Sequence, residues 1–499
     1  MRSGIGLALR KIFRETRGTT DYGRRDFVRK AAVASVALSL PWAACQPKQK
    51  PAVAIVGGGI AGLTTSFYLS KMGIDHTLYE ASGRVGGRIF TVQNAVIDNA
   101  YVDFGAEFID SIHEDILQLA NELSVPLIDL HEDTLTSKAY YFEGKMYTEK
   151  DIVEALQPFA AQLATDVDRI PDDIHFSAAS SFRHLDQHSV SSYLESIGME
   201  GWLKRFFEVA MESEYALDAG EQSAINLLVM LSTPVQYDPH YHLLGNYHEV
   251  YKFKGGSQKF IDALSAQTRD RVKMGYRLRK INRGNGKYAL TFDGQAGEQL
   301  VLADYVVLAI PFTVLRKVER NFSFSDRKEK WIAEAGFGNA VKAAMGFTQR
   351  PWRNVGFQGY TFTDVNGTVF WDSAQAQPVE QGSLTFAGGG RTADALADLP
   401  EDEIVSRWMV GADTIFKGIK SSYNNRLVKF PWKAHPYSEG SYTCYKPGQW
   451  SAFAGVEAEP FENILFAGEH CSIAHQGFMN GAAETGRLAA AELGKRLAV

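Results

Sequence analysis

Four apolar residues, Val53 to Val56, run into Gly57-Gly58-Gly59 and then into a stretch of helical periodicity that continues to Met72 and stops at Gly73. A short apolar run bounded by glycines reads as a buried strand, and a glycine just past the last periodic residue suits the position that closes a helix. The pattern therefore predicts strand, tight turn and helix, followed by a second strand from His76 to Tyr79. Further on, a helix is expected from about Glu114 to Leu123, and residues 125 to 250 alternate helical periodicity with short polar breaks. Asn282 to Gln299 reads as a polar hairpin, and Ala303 to Pro311 as a buried strand ended by proline. From Phe322 to His435 apolar and polar positions alternate, which predicts a largely antiparallel sheet under the helices. Asn463 to Phe466 is a short strand, and Gln476 to Ala482 opens a last helix that runs through Glu484 to Leu497.

The first turn carries chemistry. In Gly57-x-Gly59-x-x-Gly62 the first glycine permits the tight turn, the second lets a pyrophosphate approach the backbone, and the third lets the helix pack on the sheet. Free N–H groups and the dipole at a helix N-terminus favour the phosphates. Such glycines also occur for steric reasons alone, but Glu80 ends the second strand about 20 residues on, where a ribose hydroxyl pair expects its acceptor. The unit is a dinucleotide site.

A chain of 499 residues with 45% hydrophobic content should form more than one domain. The net charge is −6, and residues 1 to 44 carry nine Lys and Arg against three Asp and Glu, so the remainder is more acidic still and a poor candidate for nucleic acid. Three cysteines, Cys45, Cys444 and Cys471, make neither a disulfide framework nor a zinc cluster. His240, His242 and His248 follow no period that would bring them to one point, so no metal site is expected there. The first fifty residues read as a leader. Arg24-Arg25-Asp26-Phe27-Val28-Arg29-Lys30 and the apolar run Ala31 to Ala44, too short to span a bilayer, resemble a bacterial twin-arginine export signal, with Gly23 and Val28 as departures. Export to the periplasm is the expectation. Trp42-Ala43-Ala44-Cys45 resembles a degraded lipoprotein box, which would make Cys45 a lipid anchor, with simple cleavage near Ala44 as the alternative.

Glu80-Ala-Ser-Gly-Arg84-Val-Gly86-Gly87-Arg88 resembles the extension that follows the first unit in flavin amine oxidases and their relatives. A second glycine pair with two guanidinium groups, Arg84 and Arg88, suits further contact with the pyrophosphate, so FAD rather than NAD is expected. The resemblance continues at Asp103-Phe-Gly-Ala-Glu107-Phe108, a segment that in this family runs beside the flavin ring. Glu107 then either faces the active site or pairs with an arginine of the cofactor site. Tyr251 to Ile261 returns the chain to the FAD domain, and the stretch around Val272 resembles the one whose backbone meets adenine. Phe337 to Phe347, followed by Pro351-Trp352, matches the monoamine oxidase segment whose lysine, here Lys342, holds a water against the flavin N5 atom; a solvated strand lysine is the plainer alternative.

Trp432 and Tyr442 keep the monoamine oxidase spacing of a flavin-packing Trp and a cage Tyr. The residue before Tyr442 is Ser441 where that family can carry a flavin-bonded Cys, which implies non-covalent FAD. Glu469 stands where an acid meets the ribityl chain, Met479 lies in the helix start that meets the flavin pyrimidine oxygen, and Phe478 takes the place of the second cage tyrosine.

The fold implied is α/β: a Rossmann-like FAD-binding domain assembled from 51–130, 250–320 and 440–499, with an inserted mixed α+β substrate-binding domain from 131–249 and 321–439. The activity implied is oxidative deamination of an amine to an imine, with dioxygen reduced to hydrogen peroxide. Amino-acid oxidases of this fold usually place an arginine soon after the Gly-Ala-x-aromatic segment, and this chain has Ile109-Asp110-Ser111 there. An amino-acid oxidase is thus disfavoured, and a dehydrogenase or desaturase that passes electrons to a quinone or cytochrome is the main alternative. FAD as a structural prop in a binding protein is a third class.

Overall fold

A computed structural model describes residues 50–171, 174–232, 249–294 and 297–498. Arg24, Arg25, Cys45 and the loop with His240, His242 and His248 lie outside the described residues.

Five parallel strands form the sheet that carries the glycine turn, in the order Val272–Met274, His76–Glu80, Val53–Val56, Tyr305–Leu308, Ile464–Phe466. The central strand is buried at every position, as expected where helices or other layers cover both faces of a parallel sheet. The helix Ile60–Lys71 follows directly and ends as predicted, with Gly73 in the left-handed region at φ 68°. It packs on the last helix, Met479–Leu497. At the crossing, a Cβ on Gly486 would come within 2.4 Å of the Ala61 carbonyl oxygen, so only glycine allows this approach. Thr65 spans the contact, donating its hydroxyl to Ala61 O and Gly486 O.

The second large layer is a seven-stranded sheet in the order Tyr423–Pro431, Ala340–Phe347, Gly382–Gly389, Val369–Asp372, Phe357–Thr363, Ser137–Phe142, Lys145–Tyr147. Its pairings are antiparallel except that of Phe357–Thr363 with Ser137–Phe142. The antiparallel sheet predicted over 322–435 is present, but residues 125–250 are not helical throughout. Ser137–Phe142 and Lys145–Tyr147 add two strands: Ala139, Tyr140 and Phe142 are buried where Ser137–Phe142 pairs with the distant Phe357–Thr363, and Lys145–Tyr147 pairs back on it at the sheet edge. Helices in that span include Gly201–Tyr215 and Ala224–Ser232.

The polar hairpin expected at 282–299 is the tip of a longer meander, Arg277–Gly284, Lys287–Gly294 and Gly297–Ala303, joined by antiparallel pairing. Its strands start earlier because one face is apolar: Leu278, Ile281, Leu290 and Phe292 are buried, while Leu300 and Leu302 are exposed. A small three-stranded sheet, Phe108–Ile109, Tyr251–Phe253 and Leu127–Asp129, ties the segment after the first unit to the start of the third. In it Phe108 lies opposite Lys252.

Candidate active site

One cavity of about 1440 Å³, mouth included, runs from the glycine turn to the start of the last helix. Gly57, Gly59, Glu80, Arg84, Gly87, Arg88, Trp432, Tyr442, Glu469, Phe478 and Met479 all line it. They come from four separate stretches of sequence, 57–59, 80–88, 432–442 and 469–479.

At the first end, Gly57 has φ 108°, and a Cβ there would come within 2.4 Å of the Ala309 carbonyl oxygen. A Cβ on Gly62 would meet Gly57 O at 1.9 Å, so Gly62 packs the helix onto the turn without itself reaching the cavity wall. Gly59 is different, because its Cβ would meet only open space. It is the N-cap of Ile60–Lys71, and no side chain caps that helix. Its first-turn N–H groups are therefore available to an anion. Glu80, nearly buried, accepts from the N–H groups of Gly58 at 2.7 Å and Ser82 at 2.8 Å, which fixes its carboxylate at the strand end.

The two arginines divide their work. Arg84 donates to the carbonyls of Gly87, Ile89 and Val85 and lies over the Phe90 ring at 5.1 Å. Its Nη1 and Nη2 brace the second glycine pair through three carbonyls of its own loop, while the side chain also lines the cavity. Arg88 uses only Nη1, on Ser441 O and Glu469 Oε1, both at 2.7 Å. The remaining N–H groups of Arg88 are therefore the better phosphate donors.

Val272 does not line the cavity. Its strand pairs in parallel with His76–Glu80 at the sheet edge, with Val272 opposite Leu78. The chain then turns at Gly275, and Tyr276, Arg277 and Leu278 reach the cavity instead, Tyr276 N donating to Glu80 O at 2.7 Å. No sequence motif marks these three; the left-handed Gly275 just before them, φ 76°, is the one local signal.

At the other end the segment Asp103-Phe104-Gly105-Ala106 supplies Gly105 and Ala106 to the wall. Trp432 donates its indole N–H to Phe104 O at 2.8 Å. Lys342, wholly buried, donates to Asp103 O and Gly105 O, both at 2.9 Å, and to Glu107 Oε2 at 3.2 Å. Three carbonyls in succession are thus held, that of Phe104 by Trp432 on the cavity lining and those of Asp103 and Gly105 by Lys342 outside it, and Gly105 and Ala106 are presented to the cavity. Lys342 sits behind this wall rather than on it, and is no solvated strand lysine. Tyr442 lines the cavity and donates to Ser213 O at 3.2 Å. Phe478 lines it too and packs edge-on against His113 at 4.9 Å.

Glu107 pairs with two lysines, not with an arginine. Lys252 Nζ lies 2.7 Å from Oε1 and Lys342 Nζ 3.2 Å from Oε2, and the Trp371 indole donates to Oε2 at 3.1 Å. Burial alone would raise the Glu107 pKa, but Lys252 first and Lys342 second outweigh it and hold the carboxyl below its ordinary value. For Lys342, burial is the larger influence and pulls its pKa down against the pull of Glu107. Asp103 is pushed up to about 6 by burial and by Glu107. Neither Lys252 nor Trp371 carries a motif that would have flagged it.

Glu469 closes the floor. Its Oε1 accepts from Arg88 and from Thr443 N, and its Oε2 from Gly477 N at 2.7 Å. The last helix starts at Met479 with Phe478 as N-cap and no side-chain cap. Ser441 lines the cavity, whereas the buried Cys444 and Cys471 do not. Two uncapped helix starts, a ribose-ready carboxylate, an arginine with free donors and an open glycine fit a dinucleotide that carries a flavin.

Comparison with known proteins agrees. The chain is 25% identical over 456 residues to a flavin-containing amine oxidase of Danio rerio, a match covering 88% of this chain and 85% of that one. It is 24% identical over 481 residues to a Bacillus subtilis protein named, provisionally, an L-amino-acid oxidase, covering 89% and 94%. Its fold superposes on cyclohexylamine oxidase from Brevibacterium oxydans with a TM-score of 0.78 at 20% identity, covering 90% of this chain and 100% of that one. Residues 60–494 match the family described as flavin containing amine oxidoreductase, and the chain belongs to that family of flavin-dependent enzymes.

Proposed function

We propose that the chain is an FAD-dependent amine oxidase acting on a primary or secondary amine without an α-carboxylate. The observation that carries this reading is the single cavity that joins a dinucleotide turn at Gly59 to an apolar chamber at Gly105, Trp432, Tyr442 and Phe478. FAD held there without a covalent bond supplies a two-electron acceptor that dioxygen reoxidises to give hydrogen peroxide.

The residues of the chain bind, orient and exclude water. Gly59 and the uncapped start of Ile60–Lys71 take the pyrophosphate, with Arg88 beside them, and Glu80 takes the ribose. Glu469 orients the middle of the cofactor, and the start of Met479–Leu497 faces the ring end, where its N–H groups favour negative charge. Tyr442 and Phe478 line an aromatic chamber for a neutral amine. Phe478 gives a wall without a hydroxyl, and Ile109-Asp110-Ser111 stands in the sequence where amino-acid oxidases of this fold usually carry an arginine for the substrate carboxylate. Asp110 is buried, accepts from Glu249 N at 2.9 Å and offers no cation to a substrate carboxylate.

The test is an anaerobic screen for flavin bleaching with primary amines, polyamines and amino acids, followed by readmission of air. Bleaching by amines and rapid recovery in air support the proposal. Bleaching by several amino acids and by no simple amine overturns the substrate class. Slow recovery in air that a quinone or cytochrome accelerates overturns the oxidase reading.

Arg24-Arg25 and the apolar run after them support export of the folded holoprotein to the periplasm. Replacement of both arginines by lysine should then strand the protein in the cytoplasm. Continued export of that variant overturns this route.

A further inference from the structure

We infer that Lys252 is a positioning residue of the flavin site: through Glu107 it holds the Lys342 ammonium against the cavity wall and balances the charge behind that wall, and so sets the reduction potential of the flavin. The inference rests on the placement of FAD proposed above.

Lys252 lies in the short strand Tyr251–Phe253, and its side chain is 1% exposed. It does not itself line the cavity. Its ammonium forms the 2.7 Å ion pair with Glu107 Oε1 and donates to Ser373 O at 3.1 Å, between the rings of Tyr101 and Phe108 at 5.8 and 5.5 Å. The other carboxylate oxygen of Glu107 receives Lys342, which in turn grips Asp103 O and Gly105 O. A relay of three buried charged groups thus connects Lys252 to the backbone that faces the cavity.

Stability alone gives little reason for this arrangement. Desolvating a buried ion pair commonly costs about as much as its Coulomb attraction returns, and apolar residues of similar volume often serve equally well. Two buried lysines that share one carboxylate are therefore better explained by what they do to the site. Lys342 donates to three oxygens at once, which an ammonium can do and a neutral amine with two N–H groups cannot, and Lys252 forms its ion pair with the Glu107 carboxylate beside it. Asp103 is a second anion, its Oδ1 accepting from Ser257 N at 3.0 Å and from the Thr91 hydroxyl. Above the pKa of Asp103 the four charges cancel. Tyr101 and Tyr360, the other titratable groups facing Glu107, are both raised by burial and stay neutral.

Removal of Lys252 leaves one excess negative charge behind the wall, in an interior where charge is weakly screened, and disfavours electron uptake by a flavin on the other side. Neutralising Glu107 does the reverse. Doing both restores the balance.

The experiment uses FAD-loaded protein at pH 8 and measures potentials by equilibration with a reference dye. Lys252→Met is expected to lower the two-electron reduction equilibrium about tenfold, about 30 mV. Glu107→Gln, which keeps the shape and an acceptor for Lys342, is expected to shift it the opposite way, and Lys252→Met/Glu107→Gln to lie within about threefold of the unaltered protein. Unchanged potentials in both single variants, or shifts of the same sign, overturn the proposal, since a purely structural role does not change sign with charge. If Lys252→Met does not fold, Glu107→Gln decides by its sign alone. FAD affinity of Glu80→Ala is measured in parallel. Undiminished affinity there overturns the placement of FAD, whereas weakened affinity with unresponsive potentials overturns only the role of Lys252.

Discussion

Arg88 and Glu469, 381 residues apart in the chain, form an ion pair at 2.7 Å on the wall of the cavity. Glu469 also accepts from Thr443 N and Gly477 N, so one buried carboxylate fastens the second glycine pair, the Tyr442 segment and the entry to the last helix together. Removing it leaves these donors unpaired, and a buried unpaired donor costs about 1–3 kcal/mol. Glu469→Ala should therefore weaken FAD binding at least about tenfold, equivalent to about 1.4 kcal/mol. Titration of apoprotein with FAD, followed by flavin fluorescence, measures this. An unaltered dissociation constant would show that the pair is structural only.

Ser441 has no thiol to bond a flavin. Cys444 and Cys471 are buried, with their sulfurs directed at the carbonyls of Tyr445 and Glu457. Burial also pushes the Cys471 thiol pKa up, which keeps it protonated and unreactive. Acid precipitation of the holoprotein should leave the yellow colour in the supernatant. Colour that stays in the pellet would mean that a cysteine or histidine has become attached.

Lys342 places a positive charge directly behind Gly105. Such a charge favours the negative charge that develops as dioxygen is reduced, and contributes less to hydride removal from a neutral amine. Lys342→Met keeps most of the length and removes the charge. Air reoxidation should slow by about tenfold or more, a loss of about 1.4 kcal/mol, while anaerobic bleaching by amine persists. Stopped-flow absorbance follows both half-reactions. Collapse of bleaching with normal reoxidation would move Lys342 into substrate binding.

Glu457 is buried, and burial pushes its carboxyl up to about 8. The folded protein thus holds a proton that the unfolded chain releases near 4.5, so this group's contribution to stability falls as pH rises from about 5 to 8. Lys328, lowered to about 8 mainly by burial, acts in the opposite sense only above that range. Glu457→Gln should match the unaltered protein in melting temperature at pH 5 and exceed it at pH 8. The expected gain is about 2–4 °C per kcal/mol, as for a domain of 150–250 residues. Calorimetry at the two pH values checks this, and a difference independent of pH refutes it.

The local sequence determined what local chemistry can determine. Val53 to Val56, the three glycines and Gly73 fix a strand, a turn and a helix because each residue's role depends on neighbours a few positions away, and the structure keeps every one of them. The same holds for Glu80 at a strand end and for the start of the last helix at Met479. Residues whose role depends on distant partners were not legible. Arg84 and Arg88 look equivalent along the chain, yet one braces the carbonyls of its own loop and the other reaches across to Glu469 and Ser441, because only folding brings those two residues to Arg88. Val272 was placed by motif, but a turn at Gly275 delivers Tyr276 to Leu278 instead. Glu107 and Lys342, 235 residues apart, share a hydrogen bond, and Lys252 joins them through a strand pairing that no period in its own segment encodes. Burial makes that difference, since a lysine on a strand reads as solvated until the tertiary structure removes the water and supplies its partner.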